Sequence, residues 1–168
     1  MKLIWTKSNL PLSLFIRWGL KQDCSHFAIV FDDDNGGIVF ESNLLGTHIK
    51  WFPTFKDHCA IVHEIEVKLP LKKEEAIYQA TLSHYDDKSY DYKAFAYFCW
   101  RTLLLRLFNV ALPKKNAWDS KGAYICVGLA KALRDAKDSL PKKLAKKLES
   151  VEDFEMVSPH DLFHILSD

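Results

Sequence analysis

The run HFAIVF (His26–Phe31) is dense in β-favouring residues, the turn-forming DDDNGG follows, and GIVFES resumes the same pattern. It predicts a β-hairpin. Alternation puts Phe27, Ile29 and Phe31 on one face of the first strand and His26, Ala28 and Val30 on the other. On the second strand Ile38 and Phe40 oppose Val39 and Glu41. THIKWF (residues 47–52) and CAIVHEIEVKL (residues 59–69) supply two further strands, joined by short turns around Gly46 and Pro53. The expected sheet is an antiparallel meander of about four locally connected strands, entered through an irregular N-terminal lead-in.

Beyond Pro70 the period changes. KKEEAIYQATLSHY spaces Ala76, Ile77, Ala80 and Thr81 as one helical face, with acidic residues in its first turn. Further helices are expected over YDYKAFAYFCWRTLLLRLF, CVGLAKALRDA and PKKLAKKLESV. A last one is expected over SPHDLFHIL, where Ser158 stands as N-cap, Pro159 at the first helical position and Asp161 at the third. Strands precede helices, so the fold class is α+β, and 168 residues suit a single domain spanning 1–168.

Charge narrows the partners. Lys+Arg 23 against Asp+Glu 22 leaves no basic stripe for nucleic acid; Lys142, Lys143, Lys146 and Lys147 read as a solvated helix face. Cysteines 24, 59, 99 and 126 form no CxxC pair and read as free thiols of a reducing compartment. The apolar start is interrupted by Lys7, Pro11 and Arg17 with no small-residue cleavage site, so no signal peptide is expected. Residues 94–112 approach bilayer length, but Arg101 and Arg106 lie inside them, which favours a buried or partner-facing helix over a membrane span.

Several residues are candidates for chemistry. DDDNGG fails as a calcium loop: with Gly36 at the glycine position, Phe31 stands at the first ligand position and Ser42 where a bidentate Glu is needed. His58 and His63, read as five apart along one strand, point to opposite faces and are ordinary histidines. His84, His160 and His164 have no supporting pattern; the 160/164 pair could share a metal on a helix, but no third ligand offers itself. No metal or other cofactor is expected.

His26, Glu41 and Cys126 remain. Hairpin pairing brings His26 and Glu41 onto one face, and Cys126 opens an amphipathic helix. An imidazolium and a helix start both lower a thiol pKa, and a carboxylate can fix the imidazole tautomer. On spacing alone packing remains the default reading of each, since a cysteine before an apolar helix usually fills space.

Five stretches, taken together and in order, resemble a known family: LFIRWGLKQDCSHFAIVF, IVFESNLLGTHI, YDYKAFAYF, GAYICVGLAKALRDA and SPHDLFHIL. They are similar to the circularly permuted, NlpC-type papain-like cysteine hydrolases common in bacteria and phages, in which the histidine strand precedes the cysteine helix. The resemblance implies a permuted papain-like fold, with Cys126 as nucleophile, His26 as general base and then acid, and Glu41 as the residue orienting His26. It implies a cysteine amidase or peptidase acting on a peptide or acyl substrate, peptidoglycan peptides among them. The chain departs from the family at Val127 and Gly128, where a small polar residue and a glutamate are usual.

Tyr124 could line the cleft or serve equally as an aromatic core residue. The apolar stretch 94–112 could floor an acyl site, although core filling is favoured. A binding or virion-associated module that keeps the fold without turnover, and a thiol acyltransferase, are the alternative functions; a cytoplasmic or virion-associated location is expected.

Overall fold

The computed structural model describes residues 1–32, 36–43, 46–85, 91–110 and 126–167. The protein is α+β. Five antiparallel strands, β1 (Lys2–Lys7), β2 (His26–Phe31), β3 (Ile38–Asn43), β4 (Gly46–Trp51) and β5 (Ala60–Glu66), form one sheet in the order β4-β3-β2-β1-β5. The expected local meander holds for β2, β3 and β4. It fails at β5, which returns across the sheet to pair with β1 rather than with β4.

Strand β1 corrects the irregular lead-in. Its KLIWTK has no apolar alternation because it is an inner strand covered on both faces: Leu3, Ile4 and Trp5 are wholly buried and Thr6 nearly so. Helix α1 (Pro11–Leu20) was likewise unexpected. Pro11 opens it at a position that needs no N–H, and Lys21 closes it in the left-handed conformation (φ 56°).

The two faces of the sheet are those expected from alternation. Leu3, Trp5, Phe27, Ile29, Phe31 and Phe40 enter the main core, while Ile4, Ala28, Val30 and Val39 form a smaller one with Phe52 and Phe55 of the short helix α2 (Phe52–Lys56). Over the larger core lie α3 (Leu71–Tyr85), α5 (Ala130–Asp135), α6 (Lys142–Glu149) and α7 (Pro159–Ser167), contributing Ile77, Leu133, Leu144, Leu148, Leu162 and Leu166. Helix α6 shows the expected division, with Leu144 and Leu148 buried and Lys142, Lys143 and Lys146 exposed.

The remaining long helix, α4 (Tyr92–Phe108), does not fill the core as expected. Tyr97 and Phe98 are buried, but Trp100, Leu107 and Phe108 are 52%, 59% and 68% exposed, and neither core cluster includes the helix. It packs on α1, where a Cβ on Gly19 would come within 2.7 Å of Thr102 Cγ2. Among the described residues no helix is long and apolar enough to cross a membrane.

Ser158 caps α7 as expected: its Oγ accepts the Asp161 N–H (3.1 Å) and donates to Asp161 Oδ2 (2.7 Å). It also accepts from Gln22 Nε2 (2.7 Å), tying the end of α1 to the start of α7. Ser158→Ala is therefore expected to cost about 1–2 kcal/mol, read as a fall of several degrees in Tm. An unchanged Tm would mean that the cap carries no stability.

Candidate active site

His26 opens β2 and Glu41 lies on β3, where the register pairs Ala28 with Glu41. Histidine and glutamate are thus diagonal neighbours on the smaller-core face, a separation long side chains bridge. The His26 Nε2–Glu41 Oε2 distance is 2.9 Å. Two further donors lie beyond what strand pairing of the hairpin indicates: Lys50 Nζ from neighbouring β4 and Asn43 Nδ2 from the end of β3 both meet Glu41 Oε1, at 2.5 and 3.1 Å. Lys50 is opposite Val39, one diagonal step from Glu41, so the sheet register was the signal that could have found it.

Cys126 begins a 3₁₀ turn (Cys126–Leu129) that runs directly into α5. Val127 and Leu129 are buried beneath it and anchor the turn in the main core, leaving Cys126 half-buried at its rim. The turn packs against β2 and β3. There Cys126 and His26 line one cavity, and Cys126 acts electrostatically on the His26 ring. The three residues singled out from the sequence are thus brought to one place, with His26 bonded to Glu41 and sharing a cavity wall with Cys126.

Electrostatics follow from that arrangement. Burial disfavours the His26 imidazolium, yet Cys126 and the hydrogen-bonded Glu41 carboxylate outweigh it, and its pKa is held up at about 10. Burial also opposes the Glu41 carboxylate, but His26 and Lys50 outweigh it and bring Glu41 down to about 2. Burial raises three thiols. Burial pushes Cys99 up to about 11, and burial with the adjacent Asp23 carboxylate pushes Cys24 up to about 12. Cys59, also raised by burial, donates its S–H to Phe55 O (3.3 Å).

The His26 ring is a shared wall of two cavities. One, of about 300 Å³, reaches Cys126 and is lined largely by apolar groups, among them Leu12, Ile16, Phe95, Phe98 and Val157. The other, of about 220 Å³, lies on the Glu41 side and takes in Lys50, Ser13, Thr6 and Cys59. Phe95 and Phe98 come from α4, so this helix contributes to the cavity wall rather than to the core.

Val127 and Gly128, the two departures from the family pattern, are both buried; Val127 is wholly enclosed in the main core. A polar side chain at Val127 would be desolvated, so packing accounts for the valine.

Other sequence candidates fare differently. Tyr124, the side chain of His84 and residues 33–35 of the DDDNGG turn lie outside the described residues. His58 precedes β5 rather than sharing a strand with His63, and it lines the Glu41-side cavity. His160 and His164 do sit together on α7, Nε2 to Nε2 at 2.9 Å. The expectation that no third ligand stands near them is corrected: Asp23, Cys24 and His63 surround His160. Three distant segments meet there, a convergence that no sequence spacing announces.

No family model, curated protein or solved structure matches the chain.

Proposed function

We propose that the protein is a cysteine acyl hydrolase of the permuted papain-like, NlpC type, acting on an amide or ester with an apolar acyl group. One observation carries this reading: His26, bonded to the Glu41 carboxylate, shares the wall of an apolar cavity with Cys126.

The geometry supports the following roles. Cys126, as thiolate, attacks the substrate carbonyl carbon, and the C=O electron pair moves onto oxygen. The oxyanion is placed to accept from the Cys126 backbone N–H, which heads a helical turn. On collapse the imidazolium of His26 gives its proton to the departing nitrogen or oxygen, leaving a thioester on Cys126. Neutral His26 then takes a proton from water, hydroxide attacks the thioester, and the carboxylic acid leaves as the thiolate and imidazolium are restored. Glu41 holds the ring through Nε2 and stabilises its positive charge throughout.

The cavity wall favours an acyl chain over a polar peptide as the group on the carbonyl side. In a series of aryl esters from two to eight acyl carbons, kcat/KM is expected to rise by about 3–4-fold per methylene until the cavity is filled, the value of one buried CH₂. A flat or falling series, with turnover of polar peptides instead, would contradict the acyl assignment.

A further inference from the structure

None of the residues of a second cluster lines either His26 cavity. Asp23 and Cys24 follow α1 in the turn that enters β2, His63 comes from β5 and His160 from α7. One ligand-type atom from each, two imidazole nitrogens, a sulfur and a carboxylate oxygen, lies within 4.8 Å of every other. We propose that Asp23, Cys24, His63 and His160 form a four-ligand site for a divalent ion of the zinc class, which fastens α7 and β5 to the turn leading into the histidine strand.

Donor chemistry selects the ion. Two imidazoles and a thiol suit zinc or its borderline neighbours and exclude calcium and magnesium, which require oxygen. A tetrahedral zinc with bonds of about 2.0–2.3 Å needs its ligand atoms about 3.3–3.8 Å apart, so side-chain adjustment of about one ångström closes the set. The backbone can stay where it is.

The surroundings are arranged as supports of ligands usually are. The His63 ring stacks on Phe163 (centroids 4.0 Å, planes 12° apart), which fixes its plane. His160 presents Nδ1 to the cluster, 3.1 Å from Asp23 Oδ1, and meets His164 through Nε2. Cys24 is wholly buried and closes the inner side, while Asp23 is exposed and gives an ion its way in.

Without the ion the same atoms satisfy one another. The Asp23 carboxylate accepts from His63 Nε2–H (2.8 Å) and His160 Nδ1–H (3.1 Å), with the Cys24 thiol beside it. Binding replaces these protons in a balanced way. Each imidazole remains neutral as its proton moves to the other ring nitrogen, at His160 the one facing His164, and the Cys24 thiol proton is released to solvent. Four protein ligands complete a tetrahedron and leave no open position, so the ion's role is structural rather than catalytic.

Cobalt(II) titration of the chelator-treated full chain tests this. The expected result is one cobalt per chain, with a thiolate-to-cobalt band in the near ultraviolet and tetrahedral visible bands, both displaced by zinc. Zinc should raise Tm. His160→Ala and His63→Ala, at half-buried positions outside the core, should each weaken binding by about 100-fold or more and abolish the Tm rise; Cys24→Ser should remove the charge-transfer band. Cys126→Ser should leave all of these signals intact. The proposal is overturned if cobalt does not bind stoichiometrically, if His160→Ala and His63→Ala bind as tightly as the parent, or if Cys126→Ser loses the signal.

Discussion

Cys126→Ala is expected to lower the proposed acyl hydrolysis by about 10³-fold or more in kcat/KM, because the variant retains the cavity but lacks the proposed nucleophile. Stability should change little. Cys126 is half-buried at the rim of the core and the turn beneath it is held by Val127 and Leu129, so the cost is about 1 kcal/mol or less. His26→Ala should lose turnover to a similar degree, and the double variant should be scarcely worse than either single one, since the two groups act as a unit. Multiplicative losses in the double variant would show that the thiol and imidazole do not work together. Retention of a tenth of the activity by Cys126→Ala would remove Cys126 from the chemistry altogether.

The second large effect concerns Glu41, which is nearly buried and faces three donors, His26, Asn43 and Lys50. Glu41→Gln should keep the shape and lose the charge. Turnover is expected to fall by about 10²-fold or more, and stability by about 2–3 kcal/mol as His26 and Lys50 lose their counter-charge. Its signature is in the pH profile. The raised pKa of His26, about 10 against an ordinary 6.5, places the basic limb of kcat/KM far above that of a free histidine; in Glu41→Gln this limb should move down toward the ordinary range. An unmoved limb would mean that Glu41 supports the fold without setting the state of His26.

The same shifts govern stability against pH. His26 is raised, so its contribution is fully present below about 6.5 and is lost as pH climbs through about 10. Glu41 is lowered from 4.5 to about 2, so its contribution is fully present above about 4.5 and is lost as pH falls through about 2. Both are complete only between about 4.5 and 6.5. Thermal melts should place the stability maximum there for the parent chain and flatten it in Glu41→Gln, whereas identical curves would separate the pair from stability.

Where the sequence was informative, one physical period governed the segment. The hairpin faces were legible because β2 and β3 bury different side chains on each face, so alternation assigned His26 and Glu41 to the same side. Helix α7 was legible from Ser158, Pro159 and Asp161, each of which satisfies a local requirement of a helix start. Helix α6 was legible from its lysines and leucines.

What escaped had no local signal. KLIWTK is buried on both faces and therefore does not alternate, so β1 read as irregular. Without β1 the pattern offers no partner for β5 other than β4, so a continued meander is the expectation. Helix α4 is apolar around most of its circumference, which suggested the core; in the folded protein part of that surface is exposed and part lines a cavity. The Asp23, Cys24, His63 and His160 cluster depends on three chain segments meeting, which only the tertiary structure supplies.

The central claim is that Cys126 reacts because His26 and Glu41 attend it. Alkylation by iodoacetamide under native conditions, with the modified cysteine identified by mass spectrometry of peptides, tests that claim most directly. The expected result is rapid modification confined to Cys126, slowed by about tenfold or more in His26→Ala, with Cys24, Cys59 and Cys99 spared. Equal rates in the parent and His26→Ala, or faster modification of any of the other three thiols, would contradict it.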